Sequence, residues 1–177
     1  MPGSTERSLS MLAAALEKEE FGRDFFAKAM NDCKNELGKD IFRTLLKEEG
    51  VHIARIKHIY DALAAGRAWS DEWKSYKGTD ENLQRLFRER LESLAPGASA
   101  DTGDIEAINL GLEFEQGAIK FYEAHLPSAS DDLERAFVQT LIKEERTHYA
   151  TLSDIKLFLT NPESYYTELE HHVLDGA

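Results

Sequence analysis

The chain repeats part of its own sequence at a spacing of 96 residues, and this internal repeat limits the folds that it can adopt. Three pairs of acidic and histidine residues recur at this spacing: Glu19 and Glu115, Glu49 and Glu145, and His52 and His148. Residues around them recur as well, with Phe25 matching Phe121 and Lys-Glu-Glu at 47–49 matching 143–145. Two copies of one structural unit pack naturally as the halves of a pseudo-twofold bundle.

Both copies have the apolar periodicity of α-helices. Apolar residues such as Leu12, Leu16 and Phe26 fall on or near one helical face, and no segment has a convincing strand pattern. All four prolines, at positions 2, 96, 127 and 162, lie where helices are expected to begin or end. We therefore predict an all-α fold.

We expect one domain over residues 1–177, built from two helical hairpins. Hairpin one covers about 7–66, hairpin two covers about 102–160, and a crossover at about 67–101 joins them. A connection of this length suits a four-helix bundle in which it runs from one end to the other. A short C-terminal helix is expected at about 162–174.

The spacing within each hairpin predicts which residues face each other. Glu19 and Glu49 are 30 positions apart, as are Glu115 and Glu145, and the midpoints at 34 and 130 lie among residues that favour turns. Two residues lie at the same level of a hairpin when its turn falls midway between them. Because each histidine follows its glutamate by three positions, the two share a helical face.

These six side chains lie on otherwise apolar faces, where bare charges would be costly. Two metal ions would remove that cost, because four carboxylates can chelate and bridge a pair of ions while one imidazole binds each. One Glu from each of two helices and Glu-x-x-His from each of two others is the di-iron or di-manganese carboxylate pattern. The predicted metal ligands are Glu19, Glu49, His52, Glu115, Glu145 and His148.

Composition excludes several other classes of function. Lys and Arg number 21 against 33 for Asp and Glu, so the net charge of −12 argues against nucleic acid or an anionic membrane surface as partner. The single cysteine, Cys33, cannot form an internal disulfide or a four-cysteine iron site. No apolar run reaches the roughly 18 residues of a membrane span, and the first residues lack the pattern of a signal peptide. We expect a cytoplasmic protein.

The motifs resemble those of the ferritin-like superfamily and, within it, those of the rubrerythrin-like proteins that lack a rubredoxin domain. The resemblance rests on Glu19-Glu-Phe-Gly-Arg-Asp-Phe-Phe26 and Leu46-Lys-Glu-Glu-Gly-Val-His52 in the first copy. In the second copy it rests on Glu115-Gln-Gly-Ala-Ile-Lys-Phe-Tyr122 and Ile142-Lys-Glu-Glu-Arg-Thr-His148. It implies a four-helix bundle around a non-haem di-iron site that reacts with hydrogen peroxide or dioxygen.

The same resemblance sets the expected cofactors and partners. Two iron ions are implied, with manganese or one ion of each kind left open. Haem is not expected, because Gly50 stands where bacterioferritins carry their haem-ligating methionine. The resemblance also implies that a separate molecule donates electrons to this protein and that the protein forms a homodimer.

Two departures from the family pattern bear on the chemistry. Rubrerythrins usually carry an extra Glu one turn after the third-helix ligand, and that position is Ala118 here, with Gly22 as its repeat counterpart. Phe26 stands where a tyrosine is usual, so Tyr122 is the expected phenol near the metals and the candidate catalytic side chain.

Three other functions stay open from the sequence. They are a ferroxidase that serves iron storage or detoxification, a non-catalytic bundle that metal stabilises for binding or sensing, and an oxygenase that acts on an organic substrate. A shared fold does not fix the function.

Residues beside the ligands carry further expectations. We expect Glu48 and Glu144 to be solvated or paired with Lys47 and Lys143, with a contact to a ligand histidine as the alternative. His125 is expected on the surface. We expect added bulk at Gly22, Gly50 and Gly117 to obstruct the helices or a small ligand; Trp69 and Trp73 are expected to cover a bundle face or a subunit contact.

Overall fold

Helices form nearly all of the computed structural model, which describes residues 3–78, 83–93 and 102–167. The α-helices are α1 (Ser4–Asp32), α2 (Glu36–Ala64), α3 (Leu83–Ser93), α4 (Thr102–His125) and α5 (Asp132–Thr160). Short 3₁₀ turns occupy Glu72–Ser75 and Leu126–Ser128, and residues 162–167 are helical. No strand occurs among the described residues, so the prediction of an all-α bundle is confirmed. Residues 168–174 of the expected C-terminal helix lie outside them.

The four long helices pack as two hairpins. Helix α1 lies along α2 and α4 along α5, while α1 also contacts α4 and α2 contacts α5. The start of α4 lies beside the α1–α2 turn, because the Asp104 carboxylate accepts hydrogen bonds from the backbone amides of Lys34 and Asn35. The end of α2 therefore lies at the opposite end of the bundle, and the connection to α4 must cross its length. Helix α3, within this connection, packs against α2 and α5.

The apolar core is divided into two clusters. One contains Phe26, Leu45 and Phe158, and the other contains Leu12, Ile56 and Phe137. On each long helix, the predicted metal ligands lie between the residues of the two clusters. The six polar side chains therefore form a layer across the bundle with an apolar cluster on either side.

A buried carboxylate closes the second hairpin. Glu134 accepts hydrogen bonds from the Ser8 hydroxyl at 2.8 Å and from the Ser130 backbone amide at 3.1 Å. His125 Nε2 lies 3.1 Å from the same carboxylate, and its side chain is only 10% exposed. The expectation of a surface histidine at 125 is therefore wrong, because His125 joins the end of α4 to the start of α5.

Both tryptophans lie against the bundle. Trp73 is buried, and its ring centroid is 5.2 Å from that of Phe137 on α5. Trp69 lies 6.0 Å from the same ring. They cover a bundle face, as expected. Among the described residues, no helix has the length and hydrophobicity to cross a membrane.

The three glycines near the predicted ligands have different surroundings. A Cβ atom at Gly22 would overlap the ring of Phe114 on α4, so the close approach of α1 and α4 depends on this glycine. A Cβ at Gly50 or Gly117 would have no neighbour within 4 Å. The expectation that bulk obstructs packing therefore holds for Gly22 and is wrong for Gly50 and Gly117.

We expect alanine at position 50 and alanine at position 22 to have opposite effects on stability. Gly50→Ala should raise the free energy of unfolding by about 1 kcal/mol, because alanine is the better helix former. Gly22→Ala should lower it by about 1–3 kcal/mol, because the methyl group displaces Phe114. Urea unfolding of the two variants beside the parent protein measures both changes, and an equal gain would contradict the close packing at Gly22.

Candidate metal centre

The structure brings all six predicted ligands together at one level of the bundle. Each is at most 2% exposed. They form two groups of four whose potential ligand atoms lie within 4.8 Å of one another: Glu19, Glu49, His52 and Glu145, and Glu49, Glu115, Glu145 and His148. Glu49 and Glu145 belong to both groups. The sequence repeat therefore produces two adjacent four-residue groups that share the carboxylates of Glu49 and Glu145.

The His52 ring faces the first group through its Nδ1 atom. This atom lies 3.2 Å from Glu19 Oε2 and 3.1 Å from Glu145 Oε1. Glu49 Oε2 is 3.9 Å away. The turn at Cys33–Asn35 makes this meeting possible, because it lies midway between Glu19 and Glu49 along the hairpin.

The His148 ring faces the second group in the same manner. Its Nδ1 atom lies 3.4 Å from Glu145 Oε2, 3.6 Å from Glu115 Oε1 and 3.7 Å from Glu49 Oε1. The two imidazole rings are stacked with their centroids 5.6 Å apart. Each group thus presents one imidazole nitrogen to a set of carboxylate oxygens.

Several atoms of the site are buried with no hydrogen-bond donor or acceptor aligned on them in the described part of the chain. They are both oxygens of Glu49, Glu115 and Glu145, and Nδ1 of His148. Leaving such groups unpaired is costly, especially where they carry charge. Cations coordinated by these atoms would remove that cost, so the residues present fit a pair of metal ions.

The electrostatics of the cluster also favour the binding of cations. Burial, reinforced by the charge of neighbouring carboxylates, raises the pKa of Glu49 and Glu115 well above the usual range. The pKa of His52 is also raised, because the charges of Glu145 and Glu19 outweigh the effect of burial. Without a metal, the cluster therefore retains protons that bound cations would displace.

The donor set restricts the choice of metal. Four carboxylates and two imidazoles, with no thiolate, suit iron or manganese better than metals that prefer soft ligands. Cys33 lies at the α1–α2 turn, away from the site.

One tyrosine contacts the cluster. Tyr122 on α4 is fully buried, and its hydroxyl donates a hydrogen bond to Glu19 Oε1. Burial, followed by the charge of Glu19, raises its pKa well above 10. Its repeat counterpart Phe26 is equally buried and packs on the ring of Phe42. Phenylalanine has no hydroxyl, so this position of the first repeat offers the cluster no hydrogen-bond donor. Ala118 is buried and adds no carboxylate.

Glu144 does not behave as expected. Its Oε2 lies 3.1 Å from His52 Nε2, and Arg55 Nη1 donates to both of its oxygens at 3.0 and 2.7 Å. The preference for a solvated side chain or a pair with Lys143 is therefore wrong for Glu144, and the alternative contact with a ligand histidine is the one formed. Glu17, Glu20 and Glu113 are exposed.

Arg55 contacts the site through Glu144 and was not predicted from the sequence. It is only 7% exposed, although arginine is rarely buried without a partner. The available signal was its position three residues after His52, which places an arginine on the ligand face of α2.

The comparisons with known proteins agree with this geometry. A family model described as Rubrerythrin matches residues 10–156, a range that covers most of both hairpins and all six clustered residues. No curated protein and no solved structure matches the chain significantly.

Proposed function

The chain belongs to the rubrerythrin family, and from this premise we propose that it is a non-haem di-iron oxidoreductase that reacts with hydrogen peroxide or dioxygen. The proposed iron ligands are Glu19, Glu49, His52, Glu115, Glu145 and His148. The observation that supports this most strongly is the pair of overlapping four-residue groups, in which buried oxygens lack aligned donors. Manganese, alone or with iron, suits the same donors.

Two redox-active ions, when bound, would supply the two electrons needed to cleave one O–O bond and would polarise that bond. Reducing hydrogen peroxide to two water molecules consumes two electrons and two protons. We propose that a separate electron donor returns the electrons.

The protein's own residues have distinct proposed roles. Glu49 and Glu145, the shared carboxylates, would hold both ions, and Glu19 and Glu115 would each complete one group. Tyr122 would fix the orientation of Glu19 through the hydrogen bond that its single O–H donates. Its phenol would also be the candidate donor of an electron to the reacting centre. The apolar clusters on both sides would limit the access of water.

Metal analysis and a reaction with peroxide test this proposal. We expect anaerobically purified protein to contain about two irons per chain, one for each four-residue group. Near-ultraviolet absorption of an oxidised di-iron centre should grow rapidly after peroxide is added and more slowly in air. Faster reaction in air would favour a ferroxidase or an oxygenase, and metal without reaction would favour a binding module. Failure to bind any metal after reconstitution would contradict the proposal.

The remaining expectations concern assembly and location. We propose that the protein acts in the cytoplasm as a homodimer, without a nucleic-acid or membrane partner, consistent with its net charge of −12. The particle mass in solution tests the assembly. A dimer supports the redox role, whereas a large cage would favour iron storage.

A further inference from the structure

We infer that Arg55 and Glu144 position His52, and that they make the two metal positions of the proposed centre unequal. The inference rests on the proposed metal site, which it extends. It concerns two residues that are not themselves among the proposed ligands.

A continuous chain of hydrogen bonds links His52 to the connection that follows α2. The Glu144 carboxylate lies 3.1 Å from His52 Nε2 and receives two hydrogen bonds from Arg55 Nη1. Arg55 Nε donates to the backbone carbonyl of Tyr76 at 2.8 Å. The guanidinium is therefore held at both ends, by a side chain of α5 and by the main chain after the Glu72–Ser75 turn.

This arrangement selects one form of the His52 ring. When Nε2 carries the proton and donates it to Glu144, Nδ1 has a free lone pair directed at the first group of carboxylates. That is the form in which an imidazole binds a metal. A carboxylate on the far nitrogen also increases the basicity of the ligand, and such outer partners typically change metal affinity by about 10–100-fold.

The arginine of this arrangement has no equivalent in the second repeat. The repeat counterpart of Arg55 is Thr151, whose hydroxyl donates to the Thr147 carbonyl within its own helix at 2.9 Å. A threonine at this position cannot supply the charged, two-ended link that Arg55 provides. The His52 position should therefore hold its ion more tightly than the His148 position.

Anaerobic titration of the metal-free full-length protein with Co²⁺ tests the inference, with visible absorption and calorimetry as readouts. We expect two binding steps of unequal affinity in the parent protein. Arg55→Met should weaken one step by about 10–100-fold and leave the other unchanged. The affinity of Arg55→Lys for this ion should lie between those of the parent protein and Arg55→Met. A lysine supplies the charge but lacks the fork that reaches both Glu144 and Tyr76.

Two single-site backgrounds identify the affected position. In a His148→Ala background, Arg55→Met should weaken binding of the remaining Co²⁺. In a His52→Ala background it should change the affinity by less than about 2–3-fold, because the ring that Arg55 and Glu144 position is absent. Arg146→Met is the matched control, because it removes an exposed arginine–glutamate pair with Glu123 beside the same ligands.

The outcomes separate this inference from the proposed function. Two steps of equal affinity, or an equal effect of Arg55→Met in both backgrounds, would overturn the inference and leave the metal site standing. No Co²⁺ binding by the parent protein would overturn both. If circular dichroism shows that Arg55→Met is unfolded, the isosteric Glu144→Gln replaces it, with the same selective loss expected.

Discussion

Replacing Glu145 with alanine should remove both metal ions, whereas replacing Glu115 with alanine should remove only one. Glu145 belongs to both four-residue groups. Its loss leaves three protein ligands in each group, with Glu49 as the remaining shared carboxylate. Glu115 belongs only to the group that contains His148. Metal content after anaerobic reconstitution should fall from about two ions per chain to nearly none in the first variant and to about one in the second.

Glu113→Ala is the control for this pair. Glu113 is on the same helix as Glu115, two residues before it, but is exposed. The Glu113→Ala variant should retain about two metal ions per chain and should react with peroxide like the parent protein. Equal losses in Glu145→Ala and Glu115→Ala would contradict the division of the site into two groups with shared carboxylates.

The stabilisation that metal provides should increase between pH 5.5 and pH 8. A carboxyl group with a raised pKa stabilises the metal-free fold fully below its unfolded pKa of about 4.5, and that contribution is lost as the pH rises through the folded pKa. His52 acts in the same direction from its ordinary pKa of 6.5 upward. Glu134, Glu144 and the ligand Glu145 have lowered pKa values, so their contributions are lost only at more acidic pH.

Metal binding has the opposite dependence, because the ligands bind in their deprotonated forms. A metal ion whose free concentration is about 1,000 times its Kd adds about 4 kcal/mol to the free energy of unfolding. That corresponds to roughly 8–16 °C in melting temperature for a chain of this size. Thermal melts with and without Co²⁺ at the two pH values measure the effect. Glu145→Ala should show almost no metal-dependent shift, and an equal shift of the parent protein at both pH values would contradict the role assigned to the buried protons.

The sequence could predict the ligand cluster because the cluster depends on spacing alone. A separation of 30 residues across a turn fixes the level of two helical positions, and the interval of three between Glu49 and His52 fixes their face. Neither property depends on the rotamer of a side chain. The second copy of the pattern then distinguished this arrangement from a chance Glu-x-x-His.

The contacts around the cluster could not be predicted in this way. Glu144 lies one position from the ligand Glu145, about 100° around the helix, and reaches His52 only because α5 packs beside α2. That packing joins the two hairpins, about which the spacing within a hairpin carries no information. The backbone carbonyl of Tyr76, which holds Arg55, has no side-chain signal at all. His125 was missed because its partner Glu134 corresponds to Gly38 in the first repeat.

The division of the core by a polar layer gives the molecule a degree of modularity. Leu45 and Ile56 belong to different apolar clusters although they lie on the same helix, with Glu49 and His52 between them. Substitutions in separate clusters share no packing partners, so their effects on stability should add. Each end of the bundle can therefore diverge during evolution, or be redesigned, without a compensating change at the other end. The ligand layer is the part that both ends must keep in register.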